Sequence, residues 1–362
     1  FPLFVASRLL GGMAIGIASN LSPLYIAEIA PAAMRGRLVS VNQLTIALGV
    51  MAAQVVNWLI AQPTPPGTGV DQLPLDSWNV QTAWRWMFGV TAVPAVVFFI
   101  SMFYAPESPR WLAKKGRSDR ARAVLRKIGG ADYAEFSVKD IEATLVNEID
   151  KVDLRELLHP KMRKILLVGV VLAVFQQWCG INVIFQYGSR IFADAGYAVS
   201  GILFNIVITG VVGVLMTFVA IGTVDRWGRR ILMLSGALGL TFIYAVTGLA
   251  YHLGLKGPVP VALVVAAIAC YCYSLAPITW VILSEIFPNR IRGAAMSVSV
   301  VALWMGNFLL SQTFPKMYES LGLAKCFWVY AAICLCGFLF IWKRLPETKG
   351  KTLEEIEREL VD

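Results

Sequence analysis

The chain has 362 residues, of which 57% are hydrophobic and only 15% charged, where soluble domains carry roughly 25% charge. A net charge of +9 invites a nucleic-acid reading, but the basic residues cluster in alternate connections between apolar runs, which is the signature of a membrane topology instead. The six cysteines show no metal-ligand spacing to His159 or His252, which excludes a zinc module and leaves free thiols acting as small core residues.

Apolar runs long enough to cross a hydrocarbon core of about 30 Å predict membrane helices at 3–27, 38–61, 84–105, 165–187, 201–223, 230–252, 260–283, 294–314 and 325–343. The first run begins almost at Phe1, with no basic stretch and no small-residue cleavage site before it, so it is not a signal peptide. It reads as a cut through a longer protein. The connection 62–83 holds Pro63, Pro65, Pro66, Gly67 and Gly69 and is expected to be an irregular outer loop. The connection 106–164 differs in kind. Residues 118–128 set Ala121, Val124, Leu125 and Ile128 at helical spacing with basic residues opposite, and a second such pattern runs through 138–149. Nine spans put the termini on opposite sides of the membrane. Because 26 of the 32 Lys and Arg residues fall on one side, that side is expected to be cytoplasmic, with the C-terminus inside.

The chain repeats itself. Glu28-Ile29-Ala30-Pro31, followed by Arg35-Gly36, returns as Glu285-Ile286-Phe287-Pro288, followed by Arg292-Gly293. Two helices later, Pro106-Glu107-Ser108-Pro109-Arg110 is echoed by Pro346-Glu347-Thr348-Lys349-Gly350. Helices one to three therefore correspond to helices seven to nine. The middle three carry a separate mark, Asp225-Arg226-Trp227-Gly228-Arg229-Arg230, with no upstream counterpart. Carriers built from three-helix units nested in six-helix halves would place one more unit before Phe1.

At the cytoplasmic helix ends, acids and bases stand at matched places: Glu28 with Arg35, Glu107 with Arg110, Asp225 with Arg229, Glu285 with Arg292, and Glu347 nearby. Partly dehydrated pairs of this kind suit a latch that closes the inner side when paired; plain interfacial charge anchoring is the alternative. Arg8 lies inside an apolar helix, where a cation calls for a cavity or a carboxylate partner. Gln43, Gln54 and Asn57 share one helical stripe with Val50. Gln176, Gln177 and Asn182 surround Gly180, where a helix break would gather them. Amides both donate and accept, which suits a neutral polyhydroxylated ligand, and Trp280 and Trp304 could pack on a sugar's CH face. Helix–helix packing is the competing reading for all of these. No phosphate-cradling loop, Ser/His/Asp set or HExxH occurs, so neither an enzyme nor an ATP-driven pump is expected, and no cofactor or metal.

The phrases Pro106-Glu107-Ser108-Pro109-Arg110-Trp111-Leu112, Gln176-Gln177-Trp178-Cys179-Gly180-Ile181-Asn182, Asp225-Arg226-Trp227-Gly228-Arg229-Arg230 and Pro346-Glu347-Thr348-Lys349-Gly350 resemble the sugar porter family of the major facilitator superfamily, in family order and over the whole length. The pattern is most similar to bacterial proton-coupled xylose, arabinose and galactose symporters. The resemblance implies an all-α major facilitator fold lacking the first three of its twelve membrane helices. Residues 1–105 would be the rest of the N-terminal bundle, 106–164 a cytoplasmic helical linker, 165–345 the C-terminal six-helix bundle and 346–362 a cytoplasmic tail. It implies sugar contact at Gln43, Gln176, Gln177, Asn182, Trp280 and Trp304, a cytoplasmic latch in the acid–base pairs, and a proton-coupling role for Arg8 beside a carboxylate on the absent first helix. The expected activity is secondary active transport of a pentose or hexose in a bacterial inner membrane, with protons as the coupled ion; a uniporter and a non-transporting sugar sensor are the alternatives. Departures from the family pattern stand at Val50 (a glutamine in xylose-type porters), Gln186 (tyrosine, with Tyr187 following), Gly213 (asparagine), Ala276 (glycine) and Leu303 (a polar amide).

Overall fold

The structure, a computed structural model, describes residues 2–30, 35–63, 74–145, 159–197, 199–287 and 291–349. All regular structure among them is helical. In chain order the elements are α1 (Pro2–Ile29), α2 (Arg35–Ile60), a π turn (Asn79–Ala83) running into α3 (Trp84–Gly89), α4 (Ala92–Met102), α5 (Pro109–Lys114), α6 (Ser118–Leu145), α7 (Pro160–Trp178), α8 (Ile181–Asp194), α9 (Val199–Trp227), α10 (Arg229–His252), α11 (Pro258–Tyr273), α12 (Leu275–Glu285) and α13 (Arg292–Arg344).

Eight stretches of the described residues are long and apolar enough to cross a membrane, where nine were expected. The difference lies at the end of the chain. The expected spans 294–314 and 325–343 form one 53-residue run, α13, interrupted at Gly322 with φ 77° and ψ 163°. A straight helix of that length would measure about 80 Å at 1.5 Å per residue, so the break at a residue free to take positive φ is what lets the run change direction.

Several spans are built from two helices meeting at a break. Between α7 and α8 the backbone turns at Cys179 and Gly180, the latter left-handed at φ 89°, and a side chain there would collide with Tyr330. Between α11 and α12, Ser274 takes φ −126° and ψ −89°. Pro277 three residues on has no N–H, so the Tyr273 carbonyl lacks its helical donor at this break. The break at Gly180 is the one that the sequence suggested within the span 165–187, whereas the break at Ser274 interrupts a span, 260–283, expected to be continuous.

Burial is uneven. In the apolar windows of Pro2–Ile26 and Asn79–Met102 none of the residues is buried in the protein, whereas 67% are buried in those of Met162–Asp194 and Pro258–Glu285. The main core is therefore made by α7 to α13, with Val39 of α2 at its edge. The N-terminal helices join it chiefly where α2 runs along α9. At that crossing Gly210 of α9 lies against Met51 and Gln54, leaving no room for a Cβ. Gln54, which the polar stripe had placed toward a cavity, is thus a helix-packing residue. The connection after α4 folds separately: Leu112, Ala121, Leu125, Ala134 and Val138 form a small core joining α5 to α6, and α6 is broken at Gly130. The helical patterns expected at 118–128 and 138–149 merge into α6 as far as Leu145; 146–158 lie outside the described residues.

Candidate functional site

The break at Gly180 does gather the amides. Gln176 and Gln177 close α7 and are buried, and Asn182 opens α8 half-buried. Asn182 Nδ2 donates to Gln177 Oε1 at 2.6 Å, and Gln177 Nε2 donates to Gln176 Oε1 at 3.0 Å. Gln176 Nε2 in turn donates to the main-chain oxygen of Ala276 at 3.3 Å, inside the second helix break. Trp280 follows one turn later on α12 and is buried. Two broken helices therefore face each other through one hydrogen bond.

Gln186, which departs from the family pattern, and two residues that the sequence did not single out, Asn307 and Ser311, complete the cluster. Asn307 Nδ2 donates to Gln177 Oε1 at 2.7 Å, Gln186 Nε2 to Asn307 Oδ1 at 3.2 Å, and Ser311 Oγ to Gln186 Oε1 at 2.6 Å. In an apolar helix a lone Asn or Ser reads as packing glue, which is why Asn307 and Ser311 were passed over. A signal existed: Trp304, Asn307 and Ser311 stand at i, i+3 and i+7 and so share one face. Trp304 is 40% exposed. Gln43 on α2 is half-buried and makes no hydrogen bond among the described residues. The arrangement is a half-buried wall of primary amides flanked by two tryptophans, chemistry that recognises hydroxyl groups without requiring charge.

A second polar cluster lies at the opposite ends of these helices. Arg229 Nη2 meets Glu285 Oε1 at 3.0 Å, with side-chain exposures of only 8% and 13%. Glu285 Oε2 accepts from Thr348 Oγ1 at 2.7 Å. Glu347 accepts the main-chain N–H groups of Arg229, Arg230 and Lys349 at 2.9, 3.1 and 3.0 Å. The first two are the opening N–H groups of α10, which have no partner in their own helix, and the carboxylate also faces the positive end of the helix dipole. Gly228 (φ 90°, ψ 159°) permits the approach, because a Cβ there would lie 2.5 Å from Glu347 Oε2.

Glu285 finds a partner beyond its sequence neighbours. Glu285 is held by Arg229 across the fold, while Arg292 directs its Nε to the Phe287 carbonyl at 3.2 Å. In the N-terminal repeat, Glu28 accepts from Ser108 Oγ at 2.6 Å, and Ser108 also caps α5 by accepting from Trp111 N. Glu107 is exposed and Arg110 half-buried. The side chains of Arg35 and Asp225 lie outside the described residues. Each of these contacts stitches helices of its own half. A bond that does cross between halves is neutral: Asn20 Nδ2 donates to Ser297 Oγ at 2.9 Å. Arg8 is exposed on α1 with its guanidinium 5.8 Å from the Phe88 ring.

The family described as "Sugar (and other) transporter" matches residues 1–360. The chain belongs to that family. Among curated proteins, this sugar-transporter chain is 39% identical over 362 residues to the D-xylose-proton symporter of Escherichia coli K12, covering 98% of itself and 71% of that protein. It is 38% identical over 356 residues to the arabinose-proton symporter of Bacillus subtilis, covering 98% of itself and 74% of the relative. Among solved structures, the major facilitator proton:xylose symporter XylE bound to 6-bromo-6-deoxy-D-glucose superposes with a TM-score of 0.83 at 36% identity, over 99% of this chain and 74% of that one. The inward open form of XylE from Escherichia coli gives 0.77 at 37% identity, over 99% and 73%. The sugar-transporter chain is thus an all-helical, multi-pass major facilitator protein and not an enzyme.

Proposed function

We propose that this protein moves a monosaccharide across the membrane together with protons, by alternating access. The observation that carries the reading is the amide cluster seated at two facing helix breaks, in a fold shared with the proton-coupled xylose and arabinose carriers. Broken helices are where such carriers expose main-chain groups to a polar ligand near mid-membrane. Gln43, Gln176, Gln177, Asn182, Trp280 and Trp304 are proposed to contact the sugar, a pentose or a hexose. Glu28, Arg35, Glu107, Arg110, Asp225, Arg229, Glu285, Arg292 and Glu347 are proposed as the inner latch, each half tightening its own helix ends so that the halves rock as rigid bodies. Arg8 is proposed to serve proton coupling, with a carboxylate outside this chain.

Topology follows the same reading. The break at Gly322 supports two crossings within α13 and so nine in all, the excess of Lys and Arg in alternate connections supports a cytoplasmic C-terminus, and a bacterial inner membrane is proposed from the carriers the chain is similar to. Under this reading the complete carrier has twelve spans. The bare apolar faces of α1 and α4 seat the other three. Residues 1–105 and 165–345 then belong to two bundles joined by the linker 106–164, with 346–362 as the tail.

The test is uptake of pentoses and hexoses by the complete carrier in liposomes, with and without an imposed proton gradient. Accumulation that requires the inward gradient is the expected result. Equilibration without accumulation would make it a uniporter, and an absence of flux for every sugar would remove the transport reading.

A further inference from the structure

The amide cluster has a direction. Beginning at Ser311, each group donates to the next: Ser311 Oγ to Gln186 Oε1, Gln186 Nε2 to Asn307 Oδ1, Asn307 Nδ2 to Gln177 Oε1, Gln177 Nε2 to Gln176 Oε1, and Gln176 Nε2 to the Ala276 carbonyl. Four primary amides are strung head to tail between a hydroxyl and a main-chain oxygen. The inner end cannot reverse, because a main-chain carbonyl only accepts. From there the direction passes outward to Gln186, which donates to Asn307 Oδ1; Ser311 Oγ has one proton for two acceptors, Gln186 Oε1 at 2.6 Å and the Asn307 carbonyl at 2.9 Å, and follows the direction without setting it.

The consequence is a pocket of fixed polarity. Gln177 Oε1 receives N–H groups from both Asn182 and Asn307, at 2.6 and 2.7 Å, so its two lone pairs are occupied. Each of the four chained amides spends one N–H on its neighbour and keeps the second. Toward the ligand the chain therefore offers one N–H from each amide and no acceptor at Gln177, while Asn182, whose Nδ2 points back at Gln177, contributes an acceptor through Oδ1.

Resting on the sugar-carrier reading, we propose that Gln186 is a positioning residue: by donating to Asn307 Oδ1 it holds the Asn307 amide in place with its N–H toward Gln177, at the outer part of the wall. The seam between α8 and α13 supports this role. Tyr187 donates its hydroxyl to the Ser311 carbonyl at 2.9 Å, and farther out Tyr318 donates to Asp194 Oδ2 at 2.8 Å with Arg190 stacked on its ring at 4.9 Å. These contacts hold Ser311 opposite Gln186. Gln186 itself is exposed, so its removal opens no hole in the core.

The discriminating substitution is Gln186→Glu, which keeps shape and reach but has no N–H to give. Two oxygens would then face each other at Asn307, and because Gln177 Oε1 still takes the Asn307 N–H, the Asn307 side chain is pushed from its place and cannot relieve the clash by turning over. Gln186→Glu is expected to raise the half-saturating sugar concentration about tenfold with the maximal rate within about twofold of wild type, since a factor of ten corresponds to one oriented interaction of roughly 1.4 kcal/mol. Ser311→Ala is expected to raise it about threefold, and the double variant to match Gln186→Glu alone. A half-saturating concentration unchanged in Gln186→Glu, or effects that multiply in the double variant, would overturn the proposal. A second readout does not need transport: the side-chain amide NMR signals of Asn307 and Gln177 in the sugar-free protein should shift on Gln186→Glu. Signals that stay in place overturn the relay even if sugar is carried normally. Signals that move while the wild type carries no sugar retain the relay and remove the transport reading.

Discussion

Removing the carboxylate of Glu347 should loosen the cytoplasmic end of the C-terminal bundle by an amount that can be worked out from its contacts. Glu347→Ala takes away the acceptor of three main-chain N–H groups, two of which open α10 and have no helical alternative. A hydrogen bond to a charged group contributes about 1.5–3 kcal/mol, and an anion at a helix N-terminus roughly 0.3–1 kcal/mol more. Water can replace part of this, because Glu347 is only half-buried. A net loss of about 2 kcal/mol follows, which lowers the melting temperature of a bundle of this size by roughly 4–8 °C. Glu347→Gln should fall between: one oxygen remains for Arg229 and Lys349, but an NH2 group replaces the acceptor of Arg230 N. Gly228→Ala attacks the same contact from the other side, forcing a side chain into a backbone conformation that costs about 1–3 kcal/mol and pushing against Glu347. Thermal unfolding of the purified carrier followed by intrinsic fluorescence is the assay. A Glu347→Ala protein melting within a degree of wild type would refute the reasoning, as would Glu347→Gln melting together with Glu347→Ala.

Three further outcomes are expected. Asn182→Ala should weaken sugar binding about tenfold, one to two lost hydrogen bonds, while leaving membrane insertion intact; unchanged affinity in equilibrium binding would remove Asn182 from the site. Gly210→Leu should wedge α2 from α9 at their closest approach, an overpacking penalty of about 1–3 kcal/mol, and abolish uptake without lowering expression; full uptake would show that the crossing is not rigid. Arg229→Met alone should destabilise by about 3–5 kcal/mol, because it strands a buried carboxylate, whereas Arg229→Met with Glu285→Leu should recover most of that. Equal melting points for the single and double variants would mean that the pair is not coupled.

Much of the architecture was legible in the residues, and what was missed has physical causes. Hydropathy located the spans because a bilayer demands some twenty apolar residues per crossing, whatever they pack against. Gly180 could be read as a break because only glycine takes positive φ without penalty. The break at Ser274 was not anticipated: Pro277 is tolerated in many membrane helices, and whether the ladder opens there depends on the Gly236 contact with the Ser274 side chain, made by another helix. Gln54 and Gln176 look alike in sequence, both amides in apolar helices, yet one packs against Gly210 and the other joins the relay.

The sequence by itself determined that this is a polytopic helical membrane protein, since length and hydropathy are properties of the chain that any membrane would read the same way. Only the tertiary structure decided which polar groups meet. It drew Glu285 to Arg229 across 56 positions, when neighbours in the sequence offered nearer partners. It also ran four amides from three helices into one directed chain. A hydrogen bond is won by whichever donor lies within about 3 Å at the right angle, and that is settled by how the helices cross, which no local pattern of residues records.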